Sequence, residues 1–532
     1  MNIVTNSKNN SSLHILILFI LFIFQIHFLN NNLYFGEDSI KHWSTYHRDD
    51  IVFVYNSLLY SENFEIHHLD HPSFFTYIFF SFSYKVFNFF GLIDFSNLTG
   101  FIESKNINSS LNQLFYISRL IIQFFSFASI ILMYQILNKF SDNKLLSLLL
   151  AIIFIISVGF SSASNRIESG LIAIFFLLLA FYFFLKFIEN KNKKTITYLA
   201  LTFIFIFSAM LQKKIVYFAI PFLFISSLFL MKKNNIIYLS YWSIKNKNLY
   251  KLLLYLFFCV VIIFISYKTI INNSFHLSRD LDFIFLTVNF ASLNILLFLY
   301  IKFFQENNYE NLLTYNLILG ITYFLYKYFL IYLFSAPASL WSISFTNFIV
   351  HLNMFTSVEN IKGALTLNSL YIYFENFLSN IKLVIFKYLI NYSFQTVLVW
   401  GNIILFFTSY KNLTTINKIS SFFLLLGFFV MQSIFLFRYE QDTYFLNSEL
   451  LLILGLSILL RNFISKKLLY ILLLIFISLI SVPTYNNFSN LRAYNNTSYC
   501  SDFDNFTSVN GYYEYWTNKI PTNVRKNFCK NF

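Results

Sequence analysis

Residues 72–92 read PSFFTYIFFSFSYKVFNFFGL, and whether this stretch crosses a bilayer decides the orientation of everything after it. Upstream lies one apolar run, Leu13–Leu29, behind a short polar head that contains Lys8. It has no small-residue cleavage site, so it reads as a retained first span rather than a removed signal peptide. Downstream, apolar runs recur at roughly 116–138, 145–160, 169–187, 196–211, 214–231, 252–270, 282–303, 312–334, 382–408, 419–437, 446–460 and 468–483. Most are about 16–25 residues long, enough to cross a hydrocarbon core of about 30 Å.

Charge settles the parity. If 72–92 does not cross, the basic residues of the cytoplasmic side include Lys139/Lys144, Lys191/Lys193/Lys194, Lys232/Lys233/Lys245/Lys247/Lys251, Lys411/Lys418 and Arg461/Lys466/Lys467. In all, that side has roughly 18 basic residues against about 9 on the opposite short loops, the bias that the positive-inside rule expects. A crossing at 72–92 inverts the bias for every later span. The stretch therefore reads as an interfacial or re-entrant helix. The expectation is an all-α polytopic membrane protein with about 13 transmembrane helices and exterior juxtamembrane helices in the first loop. Its amino terminus is then cytoplasmic and its carboxyl terminus periplasmic, in a multi-pass inner-membrane protein.

Composition agrees. The 532 residues are 57% hydrophobic and 12% charged, with a mean hydropathy of +0.61, which excludes a soluble globular protein. The net charge of +14 sits in short loops between spans, so it serves topology rather than nucleic-acid binding. No internal repeat is visible at a fixed period. Residues 1–483 read as one transmembrane domain, and 484–532 as a small exterior tail. The large exterior segments are the first loop, 31–115, a later loop, 335–380, and that tail. The tail holds Cys500 and Cys529, whereas Cys259 lies in a span. An oxidising exterior permits a disulfide between the first two, and two free thiols fit equally well.

Chemistry is sought at the outer face, where charge close to lipid is costly and needs a reason. The first loop carries Tyr46-His47-Arg48-Asp49-Asp50 and later Leu69-Asp70-His71-Pro72-Ser73, with Ile51–Tyr60 between them apolar enough for a short surface helix. Paired carboxylates can divide the work of a general base, one held ionised while its neighbour binds substrate or metal; the plainer reading is a solvated acidic loop. Arg119 opens the next span, Arg166 and Glu168 stand at a junction of two spans, and Lys213 and Lys214 interrupt an apolar hairpin before Pro221. Arg438 and Tyr439 lead another exterior turn. Each cation alone fits a snorkelling anchor. Together they suit a phosphate or pyrophosphate carried on a lipid. His42, His47, His67, His68 and His71 make the first loop rich in imidazole, but their spacing matches no metal signature.

In this order the set resembles the membrane glycosyltransferases of the GT-C fold, in particular their protein-mannosyltransferase-like and aminoarabinose-transferase-like branch. The resemblance covers most of 13–231 and returns weakly at Arg438–Leu460. It implies that Asp49 is the catalytic carboxylate of the first loop and Asp50 the second acid, more often Glu in the family. Asp70-His71-Pro72 matches a segment that usually holds two prolines; Ser73 stands in place of the second. Arg119 matches the basic residue opening the following span, Arg166 and Glu168 the Arg-x-acid junction, and Lys213 the hairpin lysine. Arg438 and Tyr439 match a basic-aromatic turn before a late span.

What the resemblance implies is transfer of a sugar from a polyprenyl-phosphate donor to a lipid, glycan or protein acceptor at the exterior face. Asp49 then acts as base, and Asp50 orients the acceptor or holds a divalent cation, the one cofactor this leaves open. Two other classes also use many spans. An O-antigen ligase or polymerase would place its essential loop late, within 335–380. A secondary transporter or lipid flippase favours helices broken by Gly or Pro and paired halves, which 11 Gly, 5 Pro and no visible repeat argue against.

Overall fold

The computed structural model describes residues 6–30, 48–62, 73–104, 107–141, 143–167, 169–189, 195–213, 216–231, 293–300, 310–334, 367–434, 445–461, 476, 478–480 and 482–486. Among them every regular element is helical. The helices are α1 (Asn6–Asn30), α2 (Arg48–Ser61), α3 (Phe74–Phe89), α4 (Leu98–Ile102), α5 (Ile107–Ser141), α6 (Lys144–Ile155), α7 (Val158–Asn165), α8 (Ser169–Glu189), α9 (Thr195–Gln212) and α10 (Val216–Met231). After a described helical stretch at 293–300 come α11 (Glu310–Phe334), α12 (Leu367–Ile390), α13 (Phe394–Thr408), α14 (Thr415–Ile434) and α15 (Phe445–Arg461). The expected spans at 252–270 and most of 282–303 and 468–483, together with all three cysteines, lie outside the described residues.

Three described helices are long and apolar enough to cross a membrane: Gln113–Ser141, Ser169–Glu189 and Thr415–Ile434. The runs read from sequence as single crossings at 145–160 and 382–408 are instead bent pairs. α6 meets α7 at 59°, and the last turns of α12 meet α13 at 89°. Serine explains where each second helix starts. Ser157 Oγ accepts from the Phe160 N–H and Ser393 Oγ from the Thr396 N–H, so a side chain replaces the carbonyl a continuous helix would supply. The later loop expected at 335–380 is also partly helical, since α12 begins at Leu367.

At the centre stands α15, buried at every residue from Leu446 to Leu460. It packs against α5, α6, α7, α10, α13 and α14. The outer helices turn apolar residues such as Phe24, Phe124, Tyr332, Phe386 and Phe407 outward, the reverse of a soluble protein and the arrangement that lipid favours.

Contacts separate the two ends of the bundle. At one end, His14 bonds Tyr134 at 2.8 Å, Lys144 Nζ donates to Ser11 Oγ at 3.0 Å, and Lys139 pairs with Glu189. The Lys139 and Lys186 ammonium groups lie over the Tyr182 ring. At the other end, Gln25 Nε2 donates to the Ile155 carbonyl at 2.9 Å and to Ser161 Oγ at 2.7 Å. The first of these ends carries Lys139, Lys144 and Lys186.

α3 stays at the second end. Sixteen helical residues span about 24 Å, short of a hydrocarbon core. Gly91, at φ +68°, stops it: Leu92 N–H reaches the Phe87 carbonyl and Gly91 N–H the Asn88 carbonyl, the paired bonds of a left-handed glycine cap. Phe75 meets Phe176 of α8 at 5.0 Å between ring centroids, and Phe79 meets Phe125 of α5 at 4.7 Å. Further on, the Tyr84 hydroxyl bonds Ser118 Oγ at 2.7 Å. Along α5, then, α3 moves from Phe125 back to Ser118, toward the helix start, rather than toward the end that carries Lys139.

Candidate functional site

The site is built on the short helices of the first loop. Asp49 and Asp50 fall in the first turn of α2, where the positive end of the helix dipole favours a carboxylate; their side chains lie outside the described residues. α2 is held by the face that follows. Phe53, Val54, Leu58 and Leu59 are buried, and Phe53 and Tyr60 meet Tyr77 and Phe74 of α3. Tyr60 also donates its hydroxyl to the Phe334 carbonyl, the last of α11, at 2.6 Å. Burial pushes its phenol up to about 12, which keeps the donor protonated. At the end of α2, Glu62 Oε1 accepts from the Thr99 N–H at 2.8 Å and so ties in α4.

Gln212, the last residue of α9, fixes the start of α3. Its Oε1 accepts from the Phe75 N–H at 3.0 Å and the Thr76 N–H at 3.3 Å, and its Nε2 donates to Thr76 Oγ1. These are first-turn groups that a helix cannot satisfy internally. The bonds place Lys213, the next residue and half-buried, beside the beginning of α3. Asp70, His71 and Pro72, which lead into that point, are outside the described residues, as is Lys214. Two of the elements singled out in the sequence thus meet through a residue that was not. Only the run of a glutamine ahead of the lysine pair hinted at it.

Arg119 and Arg166 do not behave as snorkelling anchors. Arg119 is 4% exposed and Arg166 9%, whereas an anchor carries its head into water. The Arg119 guanidinium lies 5.4 Å from the centre of the Phe115 ring, one turn earlier on α5. The adjacent Ser118 is the residue bonded to Tyr84 of α3, so α3 is pinned next to Arg119. Arg166 caps the end of α7 in extended conformation, just after Asn165, whose Nδ2 donates to the Ser161 carbonyl at 2.7 Å. Glu168, Arg438 and Tyr439 lie outside the described residues; the last two precede α15.

Reading the sequence missed Glu449. It is fully buried on α15, and its carboxylate accepts from the Gly159 N–H at 2.9 Å and from Gln395 Nε2 at 2.7 Å. A signal was present, because an acid within an apolar run demands compensation. Among the described residues no group of three His, Cys, Asp or Glu side chains could hold a metal ion.

An all-helical bundle with an apolar outer surface is a polytopic membrane protein, and the buried Arg119 and Arg166 lie at the end opposite Lys139, Lys144 and Lys186. Residues 49–280 match the family model described as dolichyl-phosphate-mannose-protein mannosyltransferase, a GT-C fold family of membrane glycosyltransferases. The match opens on Asp49 and takes in Asp50, Asp70, His71, Arg119, Arg166, Glu168 and Lys213, leaving Arg438, Tyr439 and Glu449 beyond it. No curated protein matches the chain.

Proposed function

We propose that the protein transfers a sugar from a polyprenyl-phosphate donor to an acceptor hydroxyl at the exterior face of the inner membrane. The observation that carries this reading is the join at Gln212. It sets Lys213 beside the start of α3, while α3 itself supports α2 and is bonded to α5 next to Arg119. Acid-bearing and cation-bearing elements therefore share one end of the bundle, away from Lys139, Lys144 and Lys186.

The chemistry follows from that sharing. Asp49 takes the proton of the acceptor hydroxyl as its oxygen attacks the anomeric carbon from the side opposite the phosphate, with inversion. The bond to the lipid phosphate breaks and its electron pair leaves with the phosphate oxygen. Arg119, Lys213 and Arg438 neutralise that charge as it develops, while Asp50 orients the hydroxyl. Arg166, Glu168, Tyr439, Asp70 and His71 complete the donor-binding surface. The acceptor is a lipid, a glycan or a protein.

The test uses membranes of a deletion strain supplying the natural acceptor and polyprenyl-phosphate mannose as donor probe. Release of polyprenyl phosphate by the wild type, and its loss in a normally inserted Asp49→Asn variant, is the expected result. Undiminished release by that variant removes the catalytic assignment.

A further inference from the structure

Among the described residues two apolar runs break, and both second halves start at one carboxylate. Gly159 is the second residue of α7 and Gln395 the second of α13. Glu449 of α15 receives the Gly159 N–H on Oε2 and the Gln395 amide on Oε1. A buried acid in an apolar bundle needs such compensation, and the positive end of a helix dipole with a side-chain amide supplies it. The residues around Glu449 extend the joint. Ser448 Oγ accepts from Gln432 Nε2 of α14 at 2.6 Å, and Gln432 Oε1 accepts from the Tyr388 hydroxyl of α12 at 3.0 Å. The beginning of α15 is thus where both helix breaks are held.

We infer that Glu449 is a positioning residue: its carboxylate sets the tilt of α7 against α13 and α15, and so places Asn165 and Arg166 at the end of the bundle where transfer occurs. It acts through the α7 backbone rather than on substrate. α7 is about 12 Å long, so a tilt of about 10° displaces its far end by about 2 Å. A shift of that size in a charged contact costs about 100-fold in rate. The consequence for catalysis rests on the transfer reaction proposed above; the clamp does not.

The experiment compares full-length wild type, Glu449→Gln and Glu449→Ala in membranes. Polyprenyl-phosphate mannose reports turnover. Ser162→Cys, placed in each background, reports the seating of α7, because Ser162 is fully buried. N-ethylmaleimide labelling at that position is read by peptide mass spectrometry, which separates it from the native cysteines. Glutamine keeps an acceptor for the Gly159 N–H, so Glu449→Gln retains protection and turnover within about threefold of wild type. Glu449→Ala raises labelling about tenfold and lowers turnover about 100-fold. The inference is overturned if Glu449→Ala labels no faster than wild type, or labels fast while turnover is kept. It is equally overturned if Glu449→Gln is as inactive as Glu449→Ala with α7 still protected, since charge would then be the function. Should Glu449→Ala fail to insert, Gln395→Leu removes one arm of the clamp; faster labelling supports the inference and unchanged labelling overturns it. A wild type that releases no polyprenyl phosphate removes the donor reading, and labelling alone then decides the clamp.

Discussion

Gly159 and Leu446 approach so closely that α7 and α15 touch through their backbones. A Cβ on Gly159 would lie 2.2 Å from the Leu446 nitrogen and 2.5 Å from its Cα. Neither is the movable end of a side chain, so one helix must shift. The shift would also pull the Gly159 N–H from Glu449. Gly159→Ala is therefore expected to destabilise the bundle by about 3 kcal/mol, the upper part of the range for overpacking. Thermal unfolding of the detergent-purified protein checks it, and an unchanged midpoint would contradict the close approach.

Gln212 provides a separable test of the site. Gln212→Leu keeps the apolar bulk and removes the cap on two first-turn N–H groups of α3. The expected loss of stability is about 1–2 kcal/mol. Because Lys213 adjoins the same join, KM for polyprenyl-phosphate mannose should rise more than kcat falls, and Lys213→Ala should show the same pattern without the loss of stability. Unaltered donor KM in both variants would separate this join from donor binding.

Tyr60 gives a dependence on pH. Its phenol ionises in the folded protein at about 12, above the ordinary value of 10, because of burial. The folded state therefore favours the protonated form. The stability this group contributes is fully present below pH 10 and is lost as pH rises from 10 toward 12. Tyr60→Phe should lower stability by about 1 kcal/mol at neutral pH through loss of the bond to the Phe334 carbonyl. The difference between variant and wild type should shrink above pH 10; unfolding midpoints at pH 8 and pH 11 measure it.

These positions differ in how far the sequence discloses them, and the reason is physical. Helical spans show because lipid imposes one composition over a fixed length, and the charged residues Arg119, Arg166 and Lys213 show because that composition makes them costly. The helix at Arg48–Ser61 follows from the apolar face of Ile51–Tyr60. Breaks are harder to read. Ser157 and Ser393 cap α7 and α13, yet serine is common in these runs and also bonds its own helix, as Ser126 and Ser129 do within α5. Nor does Gly159 announce its neighbour, since a close approach depends on which helix arrives. Glu449 stands as a costly acid within an apolar run, but its partners lie 54 and 290 residues away along the chain, where no local pattern discloses them.

If Asp49 takes the acceptor proton and Asp50 only orients it, the two asparagine variants must differ. Asp49→Asn removes the proton acceptor and should lower kcat about 1000-fold with little change in donor KM. Asp50→Asn retains a hydrogen-bonding side chain and should lose about tenfold. Exhaustive chelation separates orientation from metal binding: with Asp50 as an orienting group, turnover survives it, whereas a divalent cation held there would make turnover depend on added metal. Substitutions within 335–380 supply the contrast with a ligase-type enzyme. Loss of turnover there, with Asp49→Asn fully active, would move the catalytic centre to the later loop; a large loss at Asp49 alone keeps it at the start of α2, where the family match begins.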